Sequence, residues 1–252
     1  MKDEEIRKAV RKGYGKIAVQ ENSCCGPADV CGCGSSQDTL SKAIGYTDEE
    51  LKAVPDGANL GLGCGNPTAL ASLKEGEVVL DLGSGAGIDC FLAADKVGES
   101  GRVIGVDMTP EMLERARENA RKGDYQNVEF RLGEIENLPV ANDSVDAVIS
   151  NCVINLSPDK DRVFNEVYRV LKPGGRIMVS DIVLLKELPD AIKGSIEAYV
   201  GCVAGASTKQ KYLETIETAG FREVEIVSEA SLEMGQLAGS IASINVHAVK
   251  PN

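Results

Sequence analysis

The stretch from Glu77 onward constrains this chain most, because short apolar runs alternate there with helical periodicity and glycine turns. "VVLDLG" reads as a buried strand, "IDCFLAADKVG" as a helix, "RVIGVDM" as a second strand, and "TPEMLERARENARKG" as a helix with Pro110 in its first turn. "NVEFRL", "SVDAVIS", the helix "DKDRVFNEVYRVLK" and the strand "GGRIMVSDI" continue the series. Such alternation covers both faces of a sheet with helices, which predicts a doubly wound α/β core with parallel strands and right-handed crossovers.

The flanking segments read differently. Residues 2–19 have helical character, residues 20–37 form a Gly/Cys/Ser-rich loop, and "TDEELKAV" offers Thr47 as an N-cap with Glu50 three positions later. After Ile182 come a helical insertion around 189–203, a helix ending at Gly220, and two strand-like runs, "EVEIVS" and "SINVHAVK". The expected organisation is an N-terminal cap with a Cys-rich loop (1–75), an α/β core (76–182), and an α+β extension (183–252) that adds a substrate-side insertion and completes the sheet.

The first strand ends in "DLGSGAG", where Gly83, Gly85 and Gly87 allow a tight turn and close approach of backbone to a ligand at a helix N-terminus. Ile88 stands where a dinucleotide fingerprint has its third glycine, which argues against NAD. Asp107 closes the second strand, twenty positions beyond Gly87, where a carboxylate can accept both hydroxyls of a ribose. Asp81 adds a negative charge that suits an amine or sulfonium and repels a diphosphate; its alternative role is to cap the turn. The loop reads as an adenosyl site without a pyrophosphate.

Composition narrows the partners. A chain of 252 residues with 43% apolar content can build a core without covalent staples. Met1 leads into a charged segment with no apolar run of the signal-peptide kind, and no later run approaches bilayer-spanning length, so a soluble cytoplasmic protein is expected. A formal charge of -12, spread along the chain, disfavours nucleic acid and anionic membranes as partners. The one histidine, His247, lies in a strand-like alternation and reads as structural, which leaves little room for His-based acid–base chemistry.

Eight cysteines remain to be explained. In a reducing compartment they serve metal binding or redox chemistry more often than stapling. Cys152 follows Asn151 at the carboxyl end of a core strand, where ligands of open α/β sheets sit. Cys64 in "GLGCGNP" and Cys202 in "AYVGCVAGAS" have small neighbours that leave room for a bulky atom, so three separate segments can converge three sulfurs. Cys90, inside a core helix, reads as a small packed hydrophobe. Cys24, Cys25, Cys31 and Cys33 crowd into "NSCCGPADVCGCGSS"; their C-C-x5-C-x-C spacing lacks the paired knuckles of a structural zinc site. Soft thiolates select soft, thiophilic centres.

"VVLDLGSGAG", "GVDMTPEML", "LGEIENLP" and "RVLKPGGRIMVSD" together resemble the class I S-adenosylmethionine (SAM) methyltransferases over residues 76–182, and "GLGCGNPTALASL", "SNCVINLSPDK" and "YVGCVAGA" are similar to segments of the arsenite methyltransferases. The resemblance implies a Rossmann-like fold and SAM as cosubstrate, held by Asp81, Gly83, Gly85, Gly87, Asp107, Met108, Glu134, Ile135 and Asn151, with Tyr14 covering it from the first helix. Glu134 stands where the family often has Asp, and Gly13 where a second tyrosine is frequent. It further implies that Cys64, Cys152 and Cys202 hold As(III) during methylation to mono- and dimethylated arsenicals. A fourth, N-terminal cysteine, Cys31 or Cys33, would be redox-linked to Cys64, with thioredoxin or low-molecular-weight thiols as reductant. Cys24 and Cys25 are then an extra capture pair or exposed passengers. Two other readings stand beside this one: a SAM methyltransferase of a quinone-type acceptor, which shares "ENLPVANDSVDAVIS" and "RVLKPGG", and a thiol-rich metalloid or zinc sensor on the same fold.

Overall fold

A computed structural model describes residues 3–19, 37–67, 72–232 and 237–252. Its centre is one seven-stranded sheet in the order β3-β2-β1-β4-β5-β7-β6. β1 (Val78–Leu82), β2 (Arg102–Asp107), β3 (Val128–Leu132), β4 (Val145–Asn151) and β5 (Leu171–Leu184) run parallel to one another, as the apolar runs predict. β6 (Arg222–Ser231) and β7 (Ile241–Val249) are antiparallel additions, and β7 is inserted between β5 and β6. The C-terminal strands therefore complete the core sheet, and β5 itself runs across the boundary expected at residue 182.

Helices cover both faces, because β1 and β4 are buried on both sides and expose no polar face to water. On one face α4 (Ile88–Val97) and α5 (Pro110–Lys122) bring Phe91, Leu92, Leu113 and Ala116 against Val79, Val103 and Ile149. On the other, α6 (Lys160–Val170) and α9 (Lys209–Thr218) bury Phe164, Val167, Tyr212 and Ile216 against Val148, Ile177 and Ile244. Each fully buried aromatic or aliphatic side chain here contributes roughly 1.5–3 kcal/mol of transfer free energy. Pro110 occupies the first turn of α5, as expected, where its missing N–H costs nothing.

The remaining elements form a cap over the carboxyl ends of the parallel strands. α1 (Asp3–Val19) packs on α5 and on α8 (Ile196–Val200), burying Ile6 and Val10. Its other anchors are polar: Arg7 donates to Glu136 at 3.2 Å, and Arg115 reaches the Ala18 carbonyl at 3.0 Å. α2 (Gln37–Ala43) and α3 (Asp48–Ala53) follow, and the expected cap of α3 is present in full. The Glu50 N–H donates to Thr47 Oγ1 while the Glu50 carboxylate accepts from the Thr47 N–H. α7 (Asp190–Lys193) and α8 make up the insertion after β5. Among the described residues no helix is long and apolar enough to cross a membrane.

Candidate active site

The carboxyl ends of β1, β2 and β4 open into a cleft roofed by α1, whose Arg7, Val10 and Tyr14 line it. The turn after β1 shapes its floor. Gly83 has φ +66, and a Cβ there would lie 2.3 Å from Val153 Cγ2, so only glycine fits. Gly85, at φ +51, faces open space instead, with no atom within 4 Å of a Cβ position. Gly87 does not line the cleft; its φ of +99 starts α4, and its missing Cβ admits Phe91.

Asp107 ends β2 inside the cleft at 9% exposure. Its Oδ2 accepts from the Gly85 N–H at 3.0 Å and its Oδ1 from the Thr109 N–H at 2.8 Å, which fixes the carboxylate while leaving further lone pairs for a ligand. Burial raises its pKa, and these N–H donors partly offset the rise. Met108, Ile135 and Tyr14 also line the cleft, as expected.

Glu134 does not. Its carboxylate is drawn out to α1, accepting from Arg11 at 3.3 Å and lying 3.8 Å from Arg7. Glu136, two positions on, faces the cleft instead, buried and held by Arg7 and by Ser157 at 2.8 Å. The expectation for Glu134 overlooked the two α1 arginines that claim it.

Asp81 lies beneath the glycine turn, and Cys90 is more than the packed hydrophobe expected, since its thiol donates to Asp81 Oδ2 at 3.2 Å. Burial, then the neighbouring Asp89 charge, pushes the Asp81 carboxyl well above its ordinary range. Asp89, missed by the sequence reading, lines the same floor with its pKa raised to about 6 by burial. The signal was an acidic residue in the first turn of an otherwise apolar helix.

Cys152 lines the cleft, and Cys64 and Cys202 are buried beside it in the cluster that also takes Tyr199 and Val203 of the insertion. The three side chains pack in one apolar cluster that also holds Leu156, Ile182 and Ile241. The Cys202 thiol is presently turned to the Cys152 carbonyl oxygen at 2.8 Å. Among the described residues no group of three Cys, His, Asp or Glu side chains is arranged to hold a metal ion. Cys152 and Cys202 both adopt left-handed backbone, at φ +59 and +63, a conformation that costs a non-glycine residue about 1 kcal/mol or more and clusters at functional sites.

Cys64 and Cys202 are buried, Cys152 is half-buried, and all three resist ionisation. Burial raises the Cys64 pKa, partly offset by the neighbouring Cys152. At Cys152 the neighbouring Cys202 lowers the pKa, but Cys64 and burial outweigh it and leave the thiol well above its ordinary value. Cys202 is pushed up by the neighbouring Cys152 and by burial. Beneath them lies Asp181, fully buried, accepting from Tyr212 Oη at 2.7 Å with a pKa raised to about 7 by burial. Tyr14 bridges both regions: it lines the cleft, packs against the cluster that holds Cys202, and donates to the Val200 carbonyl at 3.3 Å. Cys24, Cys25, Cys31 and Cys33 lie outside the described residues.

A family model described as "Methyltransferase domain" matches residues 73–220. The crystal structure of CrArsM, an arsenic(III) S-adenosylmethionine methyltransferase from Chlamydomonas reinhardtii, superposes with a TM-score of 0.67 at 34% identity, covering 84% of this chain and 73% of that one. The arsenite methyltransferase of Halobacterium salinarum is 54% identical over 230 residues, 88% of this chain. The chain belongs to the arsenite methyltransferase family. The human family member is 35% identical over 90% of this chain. The chain spans 59% of the archaeal family member's length and 61% of the human one's.

Proposed function

We propose that this arsenite methyltransferase family member methylates trivalent arsenic with SAM as donor, and that Cys64, Cys152 and Cys202 hold the metalloid. The observation that carries the reading is the packing of Cys64 and Cys202 in one cluster with Cys152, which lines a cleft whose floor is Asp81, Asp89 and Asp107. The cleft suits an adenosyl sulfonium: Gly85 leaves room for a ligand, Asp107 is aimed by two N–H groups to accept ribose hydroxyls, and the acidic floor favours a cation. Asp81, Gly83, Gly85, Asp107, Met108, Ile135, Asn151 and Tyr14, which line the cleft, are the residues assigned to the donor.

When bound, SAM supplies a methyl group on a sulfonium. The three thiols exchange with the three hydroxyls of arsenous acid, each S–H proton leaving with a hydroxyl as water. Cys202 completes the set by turning from the Cys152 carbonyl. The sulfurs then orient the arsenic lone pair toward the methyl carbon, so no general base is required. His247, paired with Met178 and Glu225 in the sheet, has no role in this scheme. Orientation of this kind is worth roughly 7–11 kcal/mol. Return of the methylated As(V) product to As(III) consumes two thiols and forms one disulfide. Cys64 with Cys31 or Cys33 is the assigned pair, with thioredoxin or low-molecular-weight thiols resetting it. A reducing cytoplasm suits these free thiols.

The test is an assay with SAM, arsenite and excess thiol, read by separation of methylated arsenicals. Formation of mono- and dimethylated products, lost in Cys152→Ser and Cys202→Ser, is the expected result. SAM binding without any methylarsenical would refute the reading, and full turnover in both variants would favour a carbon or oxygen acceptor.

A further inference from the structure

The donor floor and the thiol cluster share one side chain, Asn151. Its Oδ1 accepts from the Cys64 N–H at 2.9 Å, and its Nδ2 faces the Gly65 carbonyl at 2.7 Å, Tyr46 Oη at 2.9 Å and Asp89 Oδ2 at 3.3 Å. Tyr46 in turn donates to Asp89 Oδ1 at 2.7 Å. Both oxygens of Asp89 are thus held by groups that lead to the backbone of Cys64. Tyr46 is buried and does not line the cleft, so whatever it does it does through its two partners.

The arrangement has little slack. A Cβ on Gly63 would lie 2.9 Å from Asn151 Nδ2, and one on Gly65 would lie 2.6 Å from Ser180 Oγ. The Cys64 carbonyl is pinned by Ser243 Oγ at 2.5 Å. The partners of Asp81 and Asp89 among the described residues are neutral: a thiol, a phenol and an amide. Two adjacent carboxyl groups without a cation are the feature a positively charged ligand would satisfy.

Resting on the proposed donor and metalloid halves of the cleft, we infer that the Tyr46–Asp89–Asn151 network couples them, so that a cationic donor at the acidic floor tightens metalloid binding by placing Cys64. Tyr46 is a positioning residue. A cation beside Asp89 stabilises its ionised form, which strengthens the O–H and N–H bonds it accepts, since charge-assisted bonds are about twice as strong as neutral ones. Asn151, steadied through Nδ2, holds the Cys64 N–H through Oδ1. By linkage the metalloid must tighten the donor by the same factor.

The experiment measures arsenite affinity by equilibrium dialysis with and without saturating sinefungin, a cationic SAM analogue with no methyl to transfer. In the wild-type protein sinefungin should tighten arsenite by about fivefold or more, the usual lower range of allosteric coupling. Tyr46→Phe keeps the ring and removes both bonds of the hydroxyl; its coupling ratio should fall to near one while sinefungin still binds. Asp89→Asn keeps the shape and removes the charge, and should lose the coupling as well; it decides the matter alone if Tyr46→Phe does not fold. A wild-type ratio of one with both ligands bound, or the wild-type ratio retained in either folded variant, overturns the inference. Wild-type protein that binds sinefungin but no arsenite overturns the substrate assignment, and this inference with it.

Discussion

The Cys202 thiol donates to the carbonyl oxygen of Cys152 at 2.8 Å, and both residues hold left-handed backbone. The strain and the contact belong together: positive φ at Cys152 turns the chain sharply after β4, directing its carbonyl at the Cys202 thiol. Cys152→Gly removes the sulfur but suits that backbone, so it should abolish arsenite binding while the melting temperature stays within a few degrees of wild type. Cys152→Val, β-branched at positive φ, should lose binding and also about 2 kcal/mol or more of stability. Thermal melts alongside arsenite titration separate the two.

Because all three thiols are held protonated at neutral pH, exchange with arsenous acid releases water and no protons. Arsenite affinity should therefore be nearly flat from about pH 6 to 8, where thiols of ordinary or raised pKa stay neutral. Calorimetry in buffers of different ionisation enthalpy should give a proton count near zero. A release of one or more protons per arsenic would show that a thiolate is present before binding.

Gly83 and Gly85 should fail in different ways. Gly83→Ala drives a Cβ into Val153 as well as straining φ, so its cost should appear as lost stability, on the order of 2–3 kcal/mol. Gly85→Ala meets no protein atom and should lose mainly donor affinity, read by titration with S-adenosylhomocysteine. Equal losses of stability in both would contradict the open space at Gly85.

Asp181 sets a pH dependence whose sign can be worked out. Its pKa rises from 3.8 to about 7 on folding, so the stability it contributes is fully present below about pH 4 and is lost as pH climbs through 7. Asp181→Asn removes that dependence while leaving a side chain able to accept from Tyr212. Urea midpoints should show the variant gaining on wild type between pH 4 and 8, by on the order of 4 kcal/mol at most. A constant difference across that range would mean the carboxyl titrates as it does in the unfolded chain.

What was legible in the sequence was local. The strand and helix periods, the glycine turn at Gly83 and Gly85, the placement of Asp107, and the Thr47–Glu50 cap each depend on residues a few positions apart, and each is present in the structure. What was not legible depends on partners far along the chain. Arg7 and Arg11 take Glu134 from more than a hundred residues away, and nothing in "LGEIENLP" signals this. Tyr46 and Asp89 carry no motif; only the folded chain brings them to Asn151. The turn of the Cys202 thiol toward the Cys152 carbonyl, fifty residues away, was equally beyond what strand ends and small neighbours could signal. The four thiols between residues 22 and 36 lie outside the described residues and remain a matter for chemistry.

The insertion of β7 between β5 and β6 has a consequence for assembly. β6 leaves the ribosome before the strand that must separate it from β5, so it has no partner in the sheet until β7 arrives. Ser243, which pins the Cys64 carbonyl, rides on that late strand. The glycine turn and β1–β5 can come together earlier, during synthesis, whereas the Cys64 loop gains its anchor only when the far end of the chain docks. A nascent chain would therefore acquire a place for the donor before it has a finished place for arsenic.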